Sequence, residues 1–208
     1  MKFVVIADTH SRHRSLRLPG GDVLIHAGDL TYRGEKLEVQ DFISWFSKQP
    51  FQYKIFIAGN HDFLFETAKP KELDLLVPDD IFYLNDSGIT IEGINIWGSP
   101  ITPRFFNWAF NRNRGEAIAK HWSLIPQNTD LLITHGPPFG FLDQLANEQH
   151  VGCKDLLVTI KEIKPSVHVF GHIHESYGTT KNMGIKFINA SLVNESYQLI
   201  NKPIVFEL

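Results

Sequence analysis

The chain has 208 residues, 43% of them hydrophobic, with 20 Lys and Arg against 23 Asp and Glu and a formal net charge of -3. That length reads as one large domain over residues 1–208, with apolar side chains enough to fill a core without a disulfide or metal to hold it. The mild negative charge excludes a global footprint for a nucleic-acid polymer or an anionic membrane, and the single cysteine, Cys153, excludes an internal disulfide and suits the reducing cytoplasm.

In chain order, the apolar run Phe3 to Ala7 predicts a strand that stops at Asp8. Its five residues are too few for a secretory signal, and no later run approaches the roughly 18 to 20 apolar residues of a membrane span. A second strand, Val23 to Gly28, ends at Asp29. Val39, Phe42, Ile43 and Phe46 then recur at the spacing of a helix that buries one face, stopped by Pro50. A third strand, Ile55 to Gly59, ends at Asn60. Residues 62–80 read as irregular. Ile89 to Ile91 and Ile94 to Trp97 flank Glu92-Gly93 as a short hairpin. Residues 99–114 again read as irregular, and Leu131 to Thr134 predicts a strand before His135. A Gly- and Pro-rich loop follows over 136–150. Leu156, Leu157, Ile160 and Ile163 predict a second amphipathic helix, beginning near Cys153, whose thiol is expected to be inert, and ending before Pro165. Val167 to Gly171 is a strand that ends at His172. Thr179-Thr180, Ile185 to Ile188 and Ile204 to Phe206 complete the chain as antiparallel strands. Alternation of strands and helices, with hairpins later, predicts a mixed α/β fold.

Asp8, His10, Asp29, Asn60, His135, His172 and His174 are all metal-competent, and each lies at or just past the end of an apolar run. Strands that end in such side chains can bring them together at one edge of a sheet, where open α/β folds bind ligands. Any one alone is better read as a turn or rim residue. The set together predicts a metal site, and imidazole with carboxylate suits Mn, Fe or Zn. His26 and His168 fall within strands and read as core or supporting residues instead.

Asp8-Thr9-His10, Gly28-Asp29, Gly59-Asn60-His61-Asp62, Thr134-His135-Gly136-Pro137-Pro138 and Gly171-His172-Ile173-His174 resemble, in order, the signature blocks of calcineurin-like metallophosphoesterases. His10-Ser11-Arg12, Gly28-Asp29-Leu30-Thr31, Val151-Gly152-Cys153 and Ile188-Asn189-Ala190-Ser191 are similar to the small metallophosphoesterase domain-containing branch, related to class III cyclic nucleotide phosphodiesterases. The resemblance implies a sandwich of two mixed β-sheets flanked by helices (α/β/β/α), with a dinuclear metal site at the loop edge. It assigns Asp8, His10, Asp29 and His174 to one ion and Asp29, Asn60, His135 and His172 to the other, with Asp29 bridging. His172 and His174 can serve both ions if the backbone turns after Gly171.

The implied cofactors are two divalent or trivalent transition-metal ions, and the implied reaction is in-line attack of a metal-bridging hydroxide on a phosphodiester. Two divalent ions, two carboxylates and a bridging hydroxide leave one net positive charge, which matches a phosphodiester monoanion. In the resemblance His61 lies beside the leaving group as general acid or transition-state stabiliser, and Asp62 is expected to orient it. A phosphomonoesterase of the same superfamily is the alternative, and a non-catalytic protein-binding scaffold is a further one.

Arg12, Phe106 and Trp108 are the candidate substrate contacts. Arg12, His13 and Arg14 adjoin the first metal loop, with His13 and Arg14 also readable as solvated. Phe105, Phe106, Trp108 and Phe110 alternate with arginines, a pattern that can stack a base and steer a phosphate. The competing reading has these aromatics anchor their loop or form a homodimer contact. The expected partner is a small phosphorylated substrate such as a nucleotide, cyclic nucleotides included.

Overall fold

Strands buried on both faces alternate their side chains between two apolar layers, and the computed structural model, which describes residues 1–208, is built on that alternation. The first sheet contains β1 (Lys2–Ile6), β2 (Val23–Ala27), β3 (Tyr53–Ile57) and β4 (Ile81–Tyr83), all parallel, with β13 (Ile204–Glu207) antiparallel at the β1 edge. The second sheet has six strands. Its parallel centre is β12 (Ile185–Asn189), β10 (Val167–Phe170), β9 (Leu131–Thr134) and β6 (Ile94–Ser99), with β5 (Ser87–Ile91) and β11 (Gly178–Asn182) antiparallel at its edges. Two-residue strands β7 (Thr102–Pro103) and β8 (Asn111–Arg112) pair separately.

Phe3, Val5, Ile25, Ile55 and Ile57 of the first sheet meet Ile96, Leu131, Ile133, Val169 and Ile188 of the second in one apolar layer. Val4, Ile6, Leu24 and Phe56 face outward and are covered by Val39, Phe42, Ile43 and Phe46 of α1 (Lys36–Ser47), the face its periodicity predicts. α5 (Lys154–Ile163) buries Leu156, Ile160 and Ile163 on the outer side of the second sheet. Each fully buried residue of this kind contributes about 1.5–3 kcal/mol. The result is the expected α/β/β/α sandwich. No helix is long and apolar enough to cross a membrane.

The stretches read as irregular hold more order than their sequence indicates, residues 99–114 containing β7 and β8. Residues 62–80 contain α2 (Phe63–Thr67) and α3 (Pro70–Leu76), and α3 buries no residue, so it has no apolar period to read. α4 (Glu116–Trp122), also unforeseen, buries only Ile118 and Trp122. Cys153 is a buried free thiol that caps α5 by accepting the Leu156 N–H, and burial pushes its pKa up, which disfavours the reactive thiolate.

Candidate metal centre

The parallel strands of both sheets deliver their carboxyl ends to one edge, and the chain turns sharply there. Asp8, His10, Asp29 and His172 all have left-handed backbone, with φ of 54°, 40°, 55° and 72°. Such conformations are uncommon outside glycine and persist when surrounding bonds fix them. Here the Asp8 and His10 amides donate to the carbonyls of Gly28 and Asp29, and the Gly171 amide to that of His135. The turn at His172 is the one that splits the His-x-His pair, leaving His174 to begin a separate 3₁₀ turn, His174–Ser176.

All seven predicted donors come together. Asp8, His10 and His174 form one group, and Asp29, His135 and His172 another, with the donor atoms of each within 4.8 Å of one another. Asn60 Oδ1 lies 2.9 Å from His135 Nε2 and so joins the second group. Asp29 faces both: Oδ1 is 3.4 Å from His135 Nε2, and Oδ2 is 3.8 Å from His10 Nε2. Donor atoms that share a first-row ion at about 2.0–2.2 Å lie about 3 Å or slightly more apart, so these separations fit cations between them.

The unpaired atoms make the same point. Asp8 Oδ1 and both ring nitrogens of His10 are buried without a hydrogen-bond partner, an arrangement that is costly unless something else satisfies them. His135 donates Nδ1–H to the Ala27 carbonyl at 3.0 Å, which leaves Nε2 aimed, lone pair first, at two oxygens of Asn60 and Asp29. Three acceptors converging on one point call for a positive charge. Burial opposes charge on His135, but Asp29 outweighs it and raises the imidazole to about 9, so that without a cation a proton on Nε2 supplies that charge and a bound metal would displace it. Burial likewise works against ionisation of Asp29, yet His135, His61 and His10 hold its carboxyl well below the usual range. Burial pushes His10 and His172 down to about 3, so both are neutral at physiological pH and available as ligands.

Glycines before the donors clear the space these groups need. A Cβ on Gly171 would stand 2.3 Å from Asp8 Oδ2 and 2.5 Å from Ala7 Cβ, and one on Gly59 would stand 2.3 Å from both the amide nitrogen and Oδ1 of Asp29. Gly171→Ala is therefore expected to displace Asp8, weakening metal binding by about tenfold or more. Strain should also reduce stability by about 1–3 kcal/mol. Metal titration and urea unfolding check the two effects, and unchanged metal affinity would mean that Asp8 relaxes without leaving the centre.

His26 and His168, read as supporting residues, are fully buried, and burial keeps both neutral, His168 at about 3. Each ring pairs through Nε2 with a threonine beside a donor: His26 with Thr9 at 2.9 Å and His168 with Thr134 at 2.8 Å.

The residues expected to act on substrate divide. His61 donates Nδ1–H to the Tyr32 carbonyl at 2.8 Å and turns Nε2 inward, 4.0 Å from Asp29 Oδ2. Asp62 does not orient it. The Asp62 carboxylate instead accepts from the amides of Leu30, Thr31 and Gly59 and from the Thr31 hydroxyl, so its bonding capacity is spent tying the two metal loops together. The orienting carbonyl of Tyr32 is held in turn by Glu38, which gathers the amides of Tyr32, Arg33 and Glu35 and the Ser11 hydroxyl.

Trp108 stacks on His61 with centroids 4.3 Å apart and planes at 27°, and Phe105 meets His172 edge-on at 5.1 Å. Phe110 is core, whereas Phe106 is 84% exposed and touches Phe105 rather than any donor. Arg12 is exposed, with no ion pair or side-chain hydrogen bond. His13 is not solvated but buried, and it and Arg14 both bind Asp41 of α1. A cavity of about 390 Å³ opens beside His172, lined by Pro103, Arg104, Phe105, Leu145 and Val151 among others. That volume is in the range of small-molecule sites. Tyr32 and Tyr197, unremarked in the sequence, border the opposite group: Tyr197 meets His10 at 4.7 Å and Tyr32 at 5.3 Å.

Comparison with known proteins agrees with this geometry. The calcineurin-like phosphoesterase family is matched over residues 1–176. Metallophosphoesterase domain-containing protein 1 of Homo sapiens is 43% identical, over 100% of this chain and 71% of that protein. A UPF0046 protein of Caenorhabditis elegans is 39% identical, over 99% of this chain and 74% of its own length. The solved structure of TT1561 of Thermus thermophilus shares the fold at a TM-score of 0.59 with 13% identity, over 90% of this chain and 88% of that one. Donor groups at the edge of a two-sheet sandwich and relatives matched along the whole of this chain thus lead to one assignment: the chain belongs to the calcineurin-like phosphoesterase family of metal-binding hydrolases.

Proposed function

We propose that this protein hydrolyses small phosphodiesters, cyclic nucleotides foremost, with two transition-metal ions held by its two donor groups. The observation that carries this reading is the division of Asp29, whose Oδ1 faces the His135 group and whose Oδ2 faces His10. Asp8, His10, His174 and Asp29 would hold one ion, and Asp29, Asn60, His135 and His172 the other. When bound, such ions activate water and neutralise charge on the phosphoryl group.

The chain's own residues supply the rest. His61, with Nδ1–H committed to Tyr32, presents Nε2 to the leaving group as proton donor or hydrogen-bond partner. Trp108 behind it fixes the ring and offers a flat surface to an organic group. The cavity beyond Phe105 can take the second arm of a diester, an arm that a monoester lacks. The two carboxylates Asp8 and Asp29 leave the centre with modest positive charge once metals are bound, which favours a diester monoanion over a monoester dianion. Cys153, free and buried, suits the cytoplasm, where we place the protein.

Manganese-loaded protein is expected to cleave bis(4-nitrophenyl) phosphate with at least about tenfold higher kcat/KM than 4-nitrophenyl phosphate, a difference of about 1.4 kcal/mol at the transition state. Preference for the monoester would move the assignment to a phosphatase. Cleavage of neither by fully loaded protein would favour the scaffold reading.

A further inference from the structure

We propose that Tyr197 is a positioning residue for His10, which makes the loop of residues 192–201 part of the metal centre; this rests on the two-ion reading above. The other inward-facing imidazoles with a visible brace are aimed by hydrogen bonds, His135 through the Ala27 carbonyl and His61 through that of Tyr32. His10 has no such brace, since neither ring nitrogen has a hydrogen-bond partner although the residue is only 3% exposed. Rotation of an imidazole about its last side-chain bond is broad, so an unbraced ring needs a wall.

Tyr197 supplies that wall. Its ring meets His10 at 4.7 Å with planes at 86°, an edge-to-face geometry favourable for aromatic pairs, and it also borders His174 at 5.7 Å. The remaining close neighbours of His10 are His61 and His174, which the site already uses, and Tyr32 at a looser 6.4 Å.

The loop that carries Tyr197 is built to hold it. Its base is joined to the strand end that carries Asp8 and His10: the Ala7 amide donates to the Ala190 carbonyl, and the Leu192 amide to that of Ala7. Val193 and Leu199 bridge across the loop. Within it, Asn194 Oδ1 accepts the amides of Ser196 and Gln198, and the Tyr197 amide donates to the Asn194 carbonyl. Tyr197 itself takes a left-handed φ of 58°, a conformation this bracing sustains. The family match ends at residue 176, so Tyr197 meets His10 from outside the matched region.

The test is calorimetric titration of metal-stripped, substrate-free protein with manganese. Tyr197→Ala is expected to weaken one of two binding steps by about tenfold or more, the usual effect of losing a residue that orients a ligand. Tyr197→Phe is expected to bind as wild type, because the ring and not the hydroxyl makes the contact. Urea unfolding of the stripped variants verifies that they fold, and Tyr197→Leu gives the same comparison where Tyr197→Ala does not. Wild-type affinity in Tyr197→Ala would overturn the proposal, as would Tyr197→Phe binding as weakly as Tyr197→Ala. No substrate is involved, so a failure to cleave diesters leaves the result standing. Wild-type protein that binds no ion would remove the two-ion reading and this inference with it.

Discussion

Asp29→Asn is expected to lower metal-dependent hydrolysis by about three orders of magnitude, equivalent to about 4 kcal/mol at the transition state. The substitution keeps the shape of the side chain and removes one oxygen and one negative charge. Because Asp29 Oδ1 faces His135 and Oδ2 faces His10, whichever way the amide settles, one donor group receives an NH₂ where it had a lone pair. The same carboxylate also accepts the His61 amide at 2.8 Å, so the amide will favour keeping its oxygen there and turning its nitrogen toward His10. Elemental analysis should therefore find fewer ions per chain in the variant, with the ion on the Asp8, His10 and His174 side lost first. A full complement of metal together with wild-type turnover would remove Asp29 from the bridging position proposed for it.

The second large effect is expected at His61. Its Nε2 is 4.0 Å from Asp29 Oδ2, and its donor atom groups with those of His10 and Asp29 as closely as the assigned ligands group among themselves. Distance alone thus leaves two uses for the ring, ligand or proton donor. Stacking on Trp108 and the bond to the Tyr32 carbonyl fix its orientation, as a group acting on substrate requires. His61→Ala should keep its metal content and lose about 10²-fold or more in kcat. Lost metal with an unchanged rate per bound ion would make His61 a ligand and leave the leaving-group role without a residue.

The donors were legible because each closes an apolar strand or follows just after its end, and a strand's direction fixes where its carboxyl end goes. α1 and α5 were legible for a similar reason: each buries one regular stripe, whereas α3 fully buries no residue, only Leu73 leaning on the core, and leaves no stripe to detect. Asp62 misled because adjacency in sequence says little about contact. Neighbouring side chains diverge, and its carboxylate faces the amides of Leu30, Thr31 and Gly59 rather than the ring next to it. The alternation of Phe105, Phe106 and Trp108 with arginines marked the right segment without saying which rings point inward; backbone geometry decides that, and Phe106 points out. Tyr197, Tyr32 and Glu38 carried no local signal, since each acts through a contact that exists only after distant loops meet.

The central claim, that two donor groups hold two ions which act together on a phosphodiester, is tested most directly by titrating stripped protein with manganese while following hydrolysis of bis(4-nitrophenyl) phosphate. Activity that rises until two ions are bound per chain, and then levels, is the predicted result. Activity complete at one ion per chain, or equal before and after stripping, would contradict it.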